Sequence, residues 1–372
     1  MGGDGRRQDD YIGSNAGGTD VLTPQSSSNV SVGYLNIGQQ RIQTGSAQLG
    51  HFDILFVCAS YEPRAIAITK CSQISADKAY VFRFEPLSSD NNRAFHAEIL
   101  RTFASEVAKD VRIVVLPPSV STVRVQEALR SVLAEIAADE TKPVSVAIDI
   151  STMPKSYFSQ IIAAGIGLGV FHRVTVFYSE TDYSGGGVSD GFQFTEGSWK
   201  SIQVPFLEGE IRAGAPRHSI VSVGADVASL ERFVRRYEPD SMTLLVPVPG
   251  ASEAIDKKVR EDTSAMKRRF GSTKLVELPA FDVRATLGHL QSVIRSYAPS
   301  HEVGMFCLGT KPHALAMGLI AILDSSIPLV CRVPERYRER SDAANGWAWL
   351  YKIFDSSNPR SVELEFDAAS GA

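Results

Sequence analysis

The chain has little that would tie it to metal, redox or membrane chemistry. Its four cysteines, Cys58, Cys71, Cys307 and Cys331, are spread through 372 residues without CxxC spacing. Neither a zinc ribbon nor a disulfide framework is expected, and a reducing cytoplasm is the natural compartment. The seven histidines form no HExxH pair, and His96-Ala-Glu98 has no PCxxC partner downstream. Metalloprotease and zinc-deaminase chemistry are therefore disfavoured, and neither a metal nor a cofactor is expected. GxxxxGK[ST] and GxSxG are also missing, against a P-loop nucleotidase and a hydrolase elbow. The longest nearly apolar run, Ile161 to Phe171, is far short of the roughly 20 residues that cross a bilayer. The first fifty residues show no apolar signal core, so no membrane association is expected. An excess of charge of one sign is lacking too. The 38 Lys+Arg stand against 42 Asp+Glu, a net charge of −4, so direct nucleic-acid binding is not expected and a basic cleft would have to be local.

What is present reads as an ordinary globular chain, 44% hydrophobic and 22% charged, long enough for two domains at about 150 residues each. Residues 1–50 hold ten of the 29 glycines and are rich in Ser, Gln and Asn, too little apolar area to offset ordering, so they read as a disordered tail. Within it, residues 30–42 carry enough apolar residues for an added strand or a docking peptide.

From His51 onward, β-branched runs alternate with amphipathic windows, the pattern of parallel strands joined by crossover helices. The first series of runs is Ile54–Cys58, Tyr80–Phe84, Arg112–Leu116, Val144–Ile150 and Val174–Tyr178; the second is Ile220–Val223, Thr243–Val246, Lys274–Leu278, Val303–Leu308 and Leu329–Val333. The series match element for element, and short stretches align. Asp149-Ile-Ser-Thr-Met-Pro-Lys155 falls opposite Cys307-Leu-Gly-Thr-Lys-Pro-His313, followed by Gln160-Ile-Ile-Ala opposite Gly318-Leu-Ile-Ala. An internal duplication is the expected origin. The fold class is α/β: two Rossmann-like doubly wound parallel sheets, in domains 51–210 and 211–372 after the tail. Residues 192–204, around Glu196-Gly-Ser198, read as a hairpin extending the first sheet. Residues 347–354 and 362–366 would extend the second. Gly165-Ile-Gly-Leu-Gly169 lies late in a helical window, so its glycines read as helix–sheet packing and not as a dinucleotide fingerprint.

Ligands of open parallel sheets bind beyond the carboxyl ends of the strands, where helix N-termini converge. In the first half the loops there offer Ser60, Tyr61, Glu62 and Arg64 after the first strand, and Ser151, Thr152 and Lys155 after the fourth. In the second half they offer Asp226, then Gly309, Thr310, Lys311 and His313. Pro63, Pro154 and Pro312 suit first helical turns. A cation in such a turn opposes the helix dipole, and a phosphate-like ligand would remove the conflict. Arg64 is a fork suited to phosphate or carboxylate, with Glu62 to orient it; Tyr61 offers a face for a base. Each also has a plain structural reading: a helix cap for Ser151, Thr152 or Asp226, a core or rim position for Tyr61, and a surface pair for Glu62 and Arg64. The basic stretches 257–269 and 332–340 are interleaved with acidic residues and read as solvated helix faces, or else as a docking face for an acidic partner or nucleic acid.

A duplicated Rossmann-like unit with Gly309-Thr-Lys311 after its fourth strand resembles the CRISPR-associated Rossmann fold (CARF) domains and the related SAVED domains. Ser151-Thr-Met-Pro-Lys155 departs from that motif, lacking the glycine and displacing the lysine. The resemblance implies a cytoplasmic sensor of a nucleotide-like second messenger in antiviral defence, with its effector on a separate protein subunit. It also implies that Arg64, Lys155, Lys311 and His313 would surround one cavity. Two other readings stay open: an enzyme acting on a nucleotide, sugar phosphate or glycosidic bond through Glu62, Asp149 or Asp226, and a non-catalytic assembly subunit.

Overall fold

The computed structural model describes residues 28–84, 91–116, 122–139, 143–181, 195–210, 212–224, 228–249, 253–337 and 344–357. Two Rossmann-like sheets carry the fold. The first half supplies five parallel strands, β3 (Gln48–Cys58), β4 (Ser72–Phe84), β5 (Ala108–Leu116), β6 (Val144–Asp149) and β7 (Phe171–Thr181). A 3-10 segment (Pro63–Lys70) and helices α1 (Asn91–Val107), α2 (Thr122–Asp139) and α3 (Lys155–Gly167) connect them. The second half repeats the plan with β9 (Arg217–Ser222), β10 (Ser241–Val248), β11 (Thr273–Pro279), β12 (Glu302–Cys307) and β13 (Leu329–Tyr337). Its connections are α4 (Ala228–Tyr237), α5 (Glu253–Arg269), α6 (Val283–Tyr297) and α7 (Lys311–Leu323). In both sheets the first and fourth strands of the half lie side by side, β3 against β6 and β9 against β12. The strand order therefore reverses between them.

The flanking strands depart from expectation. Strand β8 (Thr195–Gln203) follows the first half in sequence yet pairs antiparallel with β13 of the second sheet. It runs straight through Glu196-Gly-Ser198, so no hairpin turn forms there; residues 192–194 lie outside the described residues. Strand β14 (Ala344–Asp355) follows the second half yet sits in the first sheet, antiparallel to β7. The strand that follows each half thus joins the sheet of the other, β8 at an edge and β14 between β2 and β7. Residues 362–366 lie outside the described residues. Of the expected tail, residues 28–50 are ordered in the first sheet and residues 1–27 lie outside the described residues. Strands β1 (Ser28–Val32) and β2 (Leu35–Gln43) pair with each other, and β2 pairs with β14. What residues 28–50 lack in apolar area is supplied by backbone pairing and by three well-placed side chains, Val32, Leu35 and Ile37, buried in the core.

The core explains the arrangement of the halves. Helices α3 and α7 are apolar nearly all round, residues 156–166 and 312–321 being buried. A helix of that kind needs cover on every side. Here α3 and α7 pack on each other and on strands of both sheets, so one continuous core joins Phe56 and Ile148 of the first half to Met305 and Leu319 of the second. Amphipathic α6 shields this core from outside, with Leu287, Leu290 and Val293 turned in. Gly165 packs as read from sequence: a Cβ there would lie 2.0 Å from the Phe171 ring. The basic face of α5 is salt-bridged, Lys258 to Asp262 and Arg260 to Glu277. No helix among the described residues is long and apolar enough to cross a membrane.

Candidate functional site

Because α3 and α7 lie against each other, the carboxyl-end rims of the two sheets approach the same seam, but they differ in construction. In the first half, the chain leaving β6 turns away from β3: Ile150 N donates to the Phe177 carbonyl of β7 at 2.9 Å. The chain leaving β3 turns the other way, Ala59 N donating to Phe82 of β4 at 2.8 Å. The strand ends part at the point of reversal, and the rim is open in that sense, although Arg64, Asp149 and Ser151 along it are buried. In the second half, Leu308 N donates to Ser222 of β9 at 3.2 Å and Gly309 N to the Ser222 hydroxyl at 3.0 Å. There the strand ends stay joined, and a Cβ on Gly309 would stand 2.6 Å from the Val223 carbonyl oxygen.

The open rim is lined by charge. Arg64, 7% exposed, donates to Glu62 and, through Nη1, to Thr181 Oγ1 at 2.9 Å. Asp149, the last residue of β6, is 3% exposed and accepts from Ser151 N at 2.8 Å. Burial pushes its carboxyl up to about 6, although Ser151 and the charges of Lys311 and Arg64 pull the other way. Ser151 Oγ accepts from Ser179 N at 2.8 Å, and Thr152 donates to the Cys58 carbonyl at 2.8 Å. His96 reaches over from α1 and bonds the Ser60 carbonyl at 2.6 Å, fixing the loop behind Arg64.

Lys311 completes the rim from the other half of the chain. Its Nζ donates to the Ser151 carbonyl at 2.5 Å. Burial, with the Arg64 guanidinium beside it, pushes the amine down to about 7 in spite of Glu62 and Asp149 nearby. The conflict between a cation and its helix N-terminus is thus partly relieved by a carbonyl from the opposite half.

The other predicted residues fall elsewhere. Lys155 faces the closed rim, where burial lowers its proton affinity and the neighbouring groups are Cys307, Cys331 and Arg332. His313 is fully buried, bonded through Nε2 to the Pro279 carbonyl at 3.2 Å, and its pKa is driven down to about 4 by burial. The single cavity surrounded by Arg64, Lys155, Lys311 and His313 is therefore corrected to two environments. The lysines open the two helices at neighbouring N-termini, Lys311 bonded to the Ser151 carbonyl and Lys155 beside His313, and each crosses toward the other sheet. Thr310 caps α7 by accepting from His313 N, while α3 begins after Pro154 with no side-chain cap. Neither Ser151 nor Thr152 caps it. Tyr61 is 8% exposed, as buried as Arg64. Asp226 lies outside the described residues.

Sequence reasoning missed the outer bank of the rim. Glu180 on β7, 6% exposed, accepts from Arg41 Nε at 2.8 Å and Nη2 at 2.9 Å, from Trp349 Nε1 at 2.8 Å and from Asn345 Nδ2 at 3.1 Å. Burial alone would raise that carboxyl; the bonds from Arg41 and Asn345 hold it below the usual range. These donors come from β2 and β14, which no local pattern assigns to the first sheet. Among the described residues, His51, Asp53 and Asp77 form the one group close enough to share a metal. They lie at the far end of β3 and β4. Asp53 accepts from Ser145 and Asp77 from Lys109, so they are already engaged. No family model matches this chain, and no curated protein is recognisably similar to it in sequence. Fold and site together define a paired Rossmann-like α/β protein whose first switch point is lined by buried charged groups.

Proposed function

We propose that the chain binds a phosphate-bearing nucleotide, of the cyclic oligonucleotide class that the CARF and SAVED resemblance implies, at the open rim of the first sheet. It would act in the cytoplasm as a sensor subunit of an antiviral defence system, with the effector on another chain. The observation that carries this reading is Lys311: a lysine of the second half stands at the first half's switch point, beside Arg64 and within 2.5 Å of the Ser151 carbonyl. Strands that part at the point of reversal make the customary position for a phosphate, and a guanidinium with an ammonium group suits its charge. A site that needs both halves also couples ligand binding to their mutual arrangement. The four cysteines are free thiols, in keeping with a reducing compartment.

Isothermal titration with cyclic di-, tri- and tetranucleotides and with mononucleotides tests the reading. One ligand class should bind wild-type protein, and K311M and R64Q should weaken it at least tenfold. Flat heats for every ligand would overturn it. A second reading, turnover of the bound ligand, is favoured by an Asp149 carboxyl near 6 beside a Lys311 amine near 7, the range suited to proton transfer at neutral pH. Chromatography of the ligand recovered from the same titrations separates sensing from cleavage.

A further inference from the structure

The outer bank of the open rim carries an aromatic surface that the anion site does not use. Along β14, Tyr351, Trp349 and Trp347 alternate onto one face and pass from buried to exposed, Trp347 remaining 39% exposed. Tyr351 and Trp349 stack with centroids 6.3 Å apart, and Phe281 from the second half stacks on Trp349 at 5.9 Å. Pairing between β14 and β7 is interrupted between Ala344 and Ala348, a bulge that falls opposite Glu180. Gly346 supplies its positive φ of 86°, Trp347 N donates to Asn345 Oδ1 at 3.0 Å, and Thr44 Oγ1 donates to the Gly346 carbonyl at 3.2 Å. Bulges of this kind re-aim a side chain at the edge of a site.

The ring so aimed is backed by a fixed cation. The Arg41 guanidinium lies 4.5 Å from the Trp347 ring centre, and its fork to buried Glu180 prevents it from swinging away. With one face taken by Arg41, the open surface of the indole is available to a second planar group. A short bonded path joins it to the anion site: Lys311 Nζ to the Ser151 carbonyl, Ser151 Oγ to Ser179 N, and Glu180 to Asn345. Arg64 approaches the same bank, bonded to Thr181, whose register partner on β14 is Ala344.

We infer that Trp347, set by the β14 bulge and backed by Arg41, is the stacking platform for the nucleobase of the ligand whose phosphate occupies the Arg64 and Lys311 rim. The inference rests on the nucleotide reading and assigns its base subsite. Stacking on a tryptophan is sequence-tolerant and strongest for large π-faces, so purines are preferred over pyrimidines.

Ligand-observed saturation-transfer NMR of adenine H2 and H8 is the test, with adenosine, adenosine 5′-monophosphate and, as a base-free competitor, ribose 5-phosphate. Adenosine and the monophosphate should both show transfer with wild-type protein. W347A should abolish transfer from adenosine and weaken the monophosphate at least tenfold, and W347F should retain most of both, which separates lost stacking from lost folding. K311M should weaken the monophosphate and leave adenosine unchanged. Absence of transfer from either adenine probe in wild-type protein, or transfer that persists in W347A, overturns the platform. If adenosine and the monophosphate bind equally, K311M changes neither and ribose 5-phosphate does not compete, the platform stands and the anion site is what fails.

Discussion

The two switch points of this molecule descend from one pattern and have opposite characters. At the first, strands β3 and β6 part, and the polar groups there are Arg64 bonded to Glu62, Asp149 bonded to Ser151 N, and Lys311 bonded to the Ser151 carbonyl. At the second, the chain leaving β9 also turns to β10, Val223 N donating to Leu245, but β12 stays bonded to the end of β9, a thiol, Cys307, stands where Asp149 stands in the first, and Gly309 leaves no room for a side chain. The lysines sharpen the contrast. Lys311 meets a carbonyl and two carboxylates, whereas Lys155 meets thiols. A duplicated fold can thus keep two scaffolds and develop one site, provided that the second copy donates a group to the first.

The largest effect should come from breaking the closed rim. Gly309→Ala places a methyl 2.6 Å from the Val223 carbonyl oxygen and 2.9 Å from its carbon, backbone that cannot step aside. A loss of about 3 kcal/mol is expected, the upper range for overpacking. At the matching position of the open rim, Ser151→Gly should cost only about 1 kcal/mol, the bond to Ser179 N. Urea unfolding of both variants measures the difference; equal losses would mean that the rims are alike.

A smaller, pH-dependent effect marks the open rim alone. Asp149 is raised to about 6 from 3.8, so between those values the folded state holds a proton that the unfolded state has released. Its contribution to stability therefore falls as pH rises from about 4 to 6. Lys311 is lowered to about 7 from 10.5, so above pH 7 the unfolded state binds the extra proton and the contribution rises toward pH 10. Subtracting the urea stability of D149N from that of wild type should give a falling limb, and subtracting K311M a rising one, each with a slope of at most about 1.4 kcal/mol per pH unit. The same subtraction with C307S should be flat from pH 4 to 7.

The smallest effect concerns the scaffold that both rims share. A protease site placed between residues 182 and 194, followed by cleavage, should leave the two fragments co-eluting on size exclusion. Strand β14 then still pairs with β7 and β2, and the core between α3 and α7 persists. Separation of the fragments without denaturant would show that the exchanged strand and shared helices do not hold the halves together.

Much of this architecture was legible in the chain. The runs from Ile54 to Val333 mark every strand of both parallel sets, and the windows 228–237 and 313–323 coincide with α4 and most of α7. Periodicity reports which face of an element is buried, and that suffices where neighbours in sequence are neighbours in space. It says nothing of which edge a terminal strand will join, so the placements of β8 and β14 were missed, and with them Trp347, Trp349 and Arg41. The loops carrying Ser60, Glu62, Arg64, Ser151, Thr152 and Lys311 were found because a parallel sheet puts its strand-end loops on one edge. His313 was misjudged because a polar residue beside a helix start looks alike in sequence whether it points outward or into the core.

From its letters alone, this protein is a duplicated α/β chain with cations at its strand-end loops, since local periodicity and turn chemistry suffice to specify strands, crossover helices and their order. Only the tertiary structure decided that β6 leaves β3 at its end while β12 stays bonded to β9, that Lys311 serves the opposite half, and that the strands following the two halves trade sheets. Those outcomes depend on how two all-round apolar helices find cover in each other, a packing problem solved between segments some 160 residues apart in sequence, beyond the reach of any local signal.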